Sequence, residues 1–166
     1  RRNAETIFGA IADEIEKADV QLLDARAFMD ADLADSGEMV AGKTKIESEH
    51  LAHGIELARE SARLDVGQCV VVSQGTALAL EAFEGTNAMI ARAGTFGAKE
   101  TLFVKTGKPK QDNRFAVPAF GLHTLKAMSE AKLSAAALEA GAVLLLDKPV
   151  VLAEAKRLGI GLLGFE

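Results

Sequence analysis

Apolar positions along the chain follow a helical period in some stretches and a strand period in others. Ile7, Ile11, Ile15 and Ala18 recur at helical spacing with acids on the other face, which predicts a surface helix over residues 4–18. The apolar run 20–23 predicts a short strand. The acidic stretch 24–43, with Gly37 and Gly42 and no sustained period, predicts a long, weakly ordered connection. Thr44-Lys-Ile-Glu47 has the spacing of a capping box, so a second helix is expected from there to about residue 63. Residues 69–73 and 76–83 are β-rich runs joined by Gln74-Gly75, a pair that allows the positive backbone angles of a tight antiparallel hairpin.

Further along, helices and strands alternate. Helices are expected over 86–93, 122–131 and 148–158, and strands over 102–104, 135–138, 143–146 and 160–163, with a polar, basic loop over 105–118. Asp147 stands where it can cap the last helix, with Pro149 in the first turn. This order implies a layered α/β domain in which helices flank a mixed β-sheet, the hairpin supplying its antiparallel part. A chain of 166 residues fits one domain. It opens on Arg1-Arg2 ahead of a helical pattern, as the C-terminal part of a longer two-domain chain would.

Composition narrows the chemistry. The chain is 49% hydrophobic and 26% charged, the profile of a folded globular protein. Its net charge of −5 gives no general surface for nucleic acid, so any anion must be met locally. The single cysteine, Cys69, lies in an apolar run, cannot form an internal disulfide and suits a reducing compartment. No apolar run approaches the ~18 residues of a membrane span. A cytoplasmic location is expected, with peripheral membrane contact allowed.

Against this acidic background the loop Lys105-Thr-Gly-Lys108-Pro-Lys110-Gln-Asp112-Asn-Arg114 holds four cations and one acid. A loop that follows a buried strand of an α/β sheet is a favoured ligand site, and Lys and Arg meet phosphate as a point charge and a bidentate fork respectively. A second candidate is Glu81-Ala-Phe-Glu84-Gly85-Thr86-Asn87, where a strand ends and a helix begins. Gly85 permits close approach, and the first N–H groups of the helix favour an anion near Thr86 and Asn87. The plain alternatives are a solvated basic loop and an ordinary helix start capped by Thr86. Together the two loops hold what is needed for a Mg2+ bridged to phosphates.

Several segments together carry a resemblance. Leu64-Asp-Val-Gly-Gln68, Glu81-Ala-Phe-Glu-Gly-Thr-Asn-Ala-Met89, Lys108-Pro-Lys-Gln-Asp-Asn-Arg-Phe-Ala-Val-Pro118, Glu139-Ala-Gly141 and Leu145-Leu-Asp147 resemble the UDP-2,3-diacylglucosamine pyrophosphatases of the LpxI type. The resemblance implies Mg2+-dependent hydrolysis to UMP and 2,3-diacylglucosamine 1-phosphate (lipid X), a step of lipid A assembly in Gram-negative bacteria. It also implies a further N-terminal domain, with the ligand held between the two.

On that resemblance Glu81, Glu84 and Asp112 are metal-ligand candidates. Lys108 and Arg114 belong on the pyrophosphate, Lys105 and Gln111 on the substrate, and Thr86 and Asn87 on phosphate or sugar. Two positions depart from the family pattern, which has Asp where this chain has Asn87 and again where it has Ala116. Asn87 keeps an oxygen ligand. A methyl group at 116 can neither bind metal nor accept a proton, so the chain is expected to be nearly inactive. The rival reading is a non-catalytic module that binds a phosphorylated lipid, and a homodimer is compatible with either. His50 and His53, three residues apart on the second helix, have no third ligand at motif spacing and are expected to be packing or surface groups.

Overall fold

The computed structural model describes residues 4–109 and 111–166. Lys110 of the basic loop and the Arg1-Arg2 start lie outside them. The elements, in order, are α1 (Ala4–Glu16), β1 (Gly37–Val40), α2 (Ser48–Arg63), β2 (Cys69–Ser73), β3 (Thr76–Leu80), α3 (Thr86–Gly94), β4 (Thr101–Lys105), β5 (Ala119–Phe120), α4 (Leu122–Glu130), β6 (Ala135–Glu139), β7 (Leu144–Leu145), α5 (Lys148–Leu158) and β8 (Gly161–Phe165). Six strands form one mixed sheet in the order β1-β8-β6-β4-β2-β3, while β5 and β7 make a small parallel pair. The layered α/β architecture expected from the alternation is the one found.

Strand alternation sorts the sheet's side chains into two cores. Val70, Val72, Leu102, Val104, Ala135 and Ala137 face α2, whereas Val71, Phe103, Ala136 and Leu162 face α3, α4 and α5. Phe103, Leu102 and Leu162 are fully buried. Burial of that kind stabilises by about 1.5–3 kcal/mol per large side chain. Strands β4, β6 and β8 run parallel, and β2 is antiparallel to β4. The carboxyl ends of β4 and β6 therefore share one edge of the sheet with the start of β2. The hairpin turn uses Gln74 at φ 45° and Gly75 at φ 78°, the left-handed pair its sequence predicts.

Four expectations need correction. Residues 20–23 form no strand; Val20 and Leu23 are more than half exposed, so the run lacks the partner that strand pairing requires. The acidic connection contains β1, which pairs antiparallel with β8 at the sheet's edge. Helix α2 begins at Ser48 with Glu47 at its N-cap and no side-chain cap bond, so Thr44 and Glu47 make no capping box. Asp147 does occupy the N-cap of α5, but in the left-handed region at φ 57° and with no side-chain cap bond.

The segment before β1 is fixed by a buried ammonium. Lys148 Nζ donates to the carbonyls of Ala31 at 3.1 Å and Leu33 at 2.7 Å and pairs with Asp35 at 2.9 Å. A backbone bond from Ala34 to Val143, 2.9 Å, and another from Ala25 to Asn113, 2.8 Å, lay the same segment over the carboxyl edge of the sheet.

Candidate functional site

An open cleft of about 640 Å³ lies at that carboxyl edge. Its floor is the turn Thr106-Gly107 after β4, together with Glu139 at the end of β6. Arg59, Glu60 and Arg63 come from the last turns of α2, Lys108 and Gln111 from the basic loop, and Arg26 from the segment before β1. Four cations thus face two acids. The position is the one where α/β sheets place ligands, beyond the carboxyl ends of parallel strands.

Glu139 organises the floor. Its Oε2 accepts the Thr106 hydroxyl at 2.5 Å and the Gly107 N–H at 2.8 Å, and its Oε1 lies 3.7 Å from Arg59. Arg59 also stacks over the Phe165 ring, 5.4 Å from its centroid. Arg63 is bound to Glu60 at 2.8 Å, which pushes its pKa up. Lys108 reaches Asp65 at 2.6 Å. Arg26 grips Asp24 with two nitrogens, and that hydrogen bonding draws Asp24 down to about 2.

Of the residues nominated from sequence, Lys108 and Gln111 line this cleft and the others lie elsewhere. Arg114 forks onto Asp112 at 2.9 and 2.8 Å and reaches Glu16 of α1 at 2.8 Å. Its hydrogen bonds hold Asp112 below the usual carboxylate range. Beside it Phe115 stacks on Phe8, 5.3 Å between centroids, so this side of the loop is the seat of α1. Glu84 is exposed and paired with Arg92 at 2.6 Å, which lowers its pKa. Asn87 lines a separate hollow between α3 and α4 together with His123. Ala116 is exposed, and its carbonyl accepts the Gln111 amide at 2.7 Å.

Glu81, Thr86 and Lys105 come together in a part-buried network. Thr86 is the first residue of α3, and Gly85 takes the N-cap position. The Thr86 hydroxyl donates to Glu81 Oε1 at 2.5 Å, while Glu81 Oε2 accepts the Gln68 N–H at 3.0 Å. Lys105 is buried and points to Cys69 Sγ at 3.5 Å. Burial pushes the Cys69 thiol up to about 12, so it is no nucleophile near neutral pH.

These placements decide how the acids fit a metal. Mg2+ needs one or two carboxylates with free lone pairs besides water and phosphate. Glu84, Asp112 and Glu81 are already held by Arg92, Arg114, and Thr86 with Gln68 respectively. Among the described residues no three His, Cys, Asp or Glu side chains gather to hold a metal ion. The donor set does not fit a Mg2+ shared between Glu84 and Asp112. His50 and His53 line a different pocket, at the amino edge of the sheet beside the hairpin turn, and buried His50 Nε2 has no hydrogen-bond partner among the described residues.

The family model of the LpxI C-terminal domain matches residues 35–163. The chain belongs to the LpxI family. A UDP-2,3-diacylglucosamine pyrophosphatase LpxI of Caulobacter vibrioides is 32% identical over an alignment of 177 residues, covering 100% of this chain and 62% of that relative. The chain thus spans about six-tenths of the length of the LpxI protein it matches. The matched span takes in β1 to β7, the first three residues of β8 and every cleft residue except Arg26. Sequence reasoning did not find Arg26, Arg59, Arg63 or Glu139 as site residues. For Arg59 and Arg63 there was one available signal, two arginines four apart on the last turns of a helix that leads straight into the Leu64-Asp-Val-Gly-Gln68 motif.

Proposed function

We propose that this chain is the catalytic C-terminal part of a hydrolase that cleaves the pyrophosphate of UDP-2,3-diacylglucosamine to UMP and 2,3-diacylglucosamine 1-phosphate in lipid A biosynthesis. The observation that carries this reading is the cleft at the carboxyl edge, with Arg59, Arg63, Lys108 and Arg26 around one opening, in a chain of the LpxI family. A diphosphate placed there meets guanidinium forks and an ammonium, which match its oxygens in charge and geometry. The Gly107 turn, held by Glu139, lets the ligand come close to the strand end.

The rest of the catalytic apparatus belongs to the same proposal. An N-terminal domain of the chain's own would close the cleft and help seat the sugar and acyl chains, since the matched relative is longer. A Mg2+ would neutralise charge on the diphosphate, and Glu81, Glu84 and Asp112, each engaged by protein donors, are not assigned to it in this reading. Placement in the cytoplasm with peripheral contact at the membrane suits a substrate that is half nucleotide and half lipid. No helix among the described residues is long and apolar enough to cross a membrane.

At position 116 the methyl group leaves the loop without the acid that the family pattern has there, and this protein is a nearly inactive form. Restoring it by Ala116→Asp in the full-length protein is expected to raise Mg2+-dependent hydrolysis by ~100-fold or more, the contribution typical of a placed acid or base. Equal rates would remove the claim of impairment. Ala116 also favours the second reading, a non-catalytic module that holds a UDP-sugar lipid. Binding without turnover even after Ala116→Asp selects it.

A further inference from the structure

Gln111 lines the cleft, yet both ends of its side-chain amide are engaged by the protein. Its Oε1 accepts the Gln68 side-chain amide at 2.8 Å and the Lys108 N–H at 3.4 Å, while its Nε2 donates to the Ala116 carbonyl at 2.7 Å. The carbonyl is an acceptor only, so it fixes which end of the Gln111 amide faces it and thereby which end faces Gln68. One amide hydrogen remains for any ligand.

Gln68 is held just as firmly. Its backbone N–H goes to Glu81 Oε2 at 3.0 Å, and its carbonyl accepts the Thr106 N–H at 3.0 Å. Gly67 lets this segment lie against Glu81: a Cβ at residue 67 would stand 2.2 Å from the Glu81 carbonyl oxygen. A continuous line of hydrogen bonds therefore runs from Thr86 at the start of α3 through Glu81, Gln68 and Gln111 to the backbone of residue 116.

We propose that Gln68 and Gln111 are positioning residues, which set the backbone of residue 116 relative to the cationic cleft instead of binding substrate. This rests on the reading of the cleft as the diphosphate site. An acid at 116 acts only if it is placed closely, and a misplacement of about 1 Å costs ~100-fold in rate. Glu81 has a part in the same device, as the anchor of Gln68.

The test uses the full-length protein. With Ala116→Asp present, Gln111→Met and Gln68→Met are each expected to lower kcat ~100-fold with KM changed less than about threefold. The double variant should be no slower than either single one, because both cut the same line. In the Ala116 protein, Gln68→Met should speed amide hydrogen exchange at residues 111–116, which lie more than forty positions along the chain. A rise in KM with kcat unchanged would make Gln111 a substrate-binding residue and overturn the proposal, and so would unaltered exchange at 111–116. If Ala116→Asp shows no turnover at all, the hydrolase reading fails by itself, and the exchange measurement still decides whether Gln68 positions the loop.

Discussion

Arg59 and Arg114 carry the same guanidinium, yet Arg59, on the last turns of α2, is held loosely and Arg114, within the basic loop, is held tightly. Arg114 has its fork filled by Asp112 and a further nitrogen on Glu16. Arg59 has a 3.7 Å ion pair with Glu139 and a ring beneath it, a looser hold on a side chain that is half exposed in the cleft. The loop sequence made Arg114 the obvious phosphate ligand, because a count of charges does not show which of them are already paired. Among the cations that line the cleft Arg59 is the loosely held one, whereas Arg26, Arg63 and Lys108 carry close counter-charges on Asp24, Glu60 and Asp65.

The sharpest break of this comparison is to remove each arginine in turn. Arg59→Ala is expected to weaken binding of UDP-2,3-diacylglucosamine by ~10- to 100-fold, the loss of a hydrogen-bonded charge, as read by calorimetric titration. Arg114→Ala should leave that affinity within about twofold. Its cost should appear instead as a small loss of stability in urea unfolding, since the pair is a third exposed and screened by solvent. If the two variants exchange these behaviours, Arg114 is the ligand and the cleft is a bystander.

A second contrast sets the buried network beside these exposed pairs. In the folded chain Cys69 keeps its proton up to about 12, against 9.0 ordinarily. Between those values the unfolded chain binds fewer protons than the folded one, so stability present below pH 9 falls as pH rises toward 12. The slope is at most about 1.4 kcal/mol per pH unit. Denaturant unfolding from pH 8.5 to 11 should show a shallower fall in Cys69→Ala than in the parent, and parallel curves would contradict the burial argument. The smallest effect is expected at Glu84→Gln. Its pair with Arg92 is solvent-screened, so stability should barely change and ligand affinity not at all. A large loss of binding there would return Glu84 to the site.

Much of the fold was legible because its signals are local. The fully buried β2 and β4, the Gln74-Gly75 turn and the residue range of α5 follow from runs, left-handed turn residues and Pro149 near a helix start. Strand β1 was not legible, since only Val40 of its four residues is buried and its partner is β8, more than a hundred positions away. The strand expected at 20–23 failed for the opposite reason: apolar residues in sequence found no partner in space. At the site, Lys108 and Gln111 were readable from the loop and the family motif. Arg26, Arg59 and Glu139 were not, because what unites them is the crossing of three separate elements at one sheet edge. The engagement of Glu84 by Arg92 was not legible either, because Glu84 precedes α3 and no helical spacing relates the two.

Lys148 gives the cleft wall a property of its own. One ammonium drawing on two carbonyls and a carboxylate makes an irregular stretch of chain a rigid support. That stretch loses its conformational freedom when the protein folds and not when a guest arrives. Arg26, carried on it, is in place beforehand, so capture of an anion does not include the entropic cost of ordering this side of the opening.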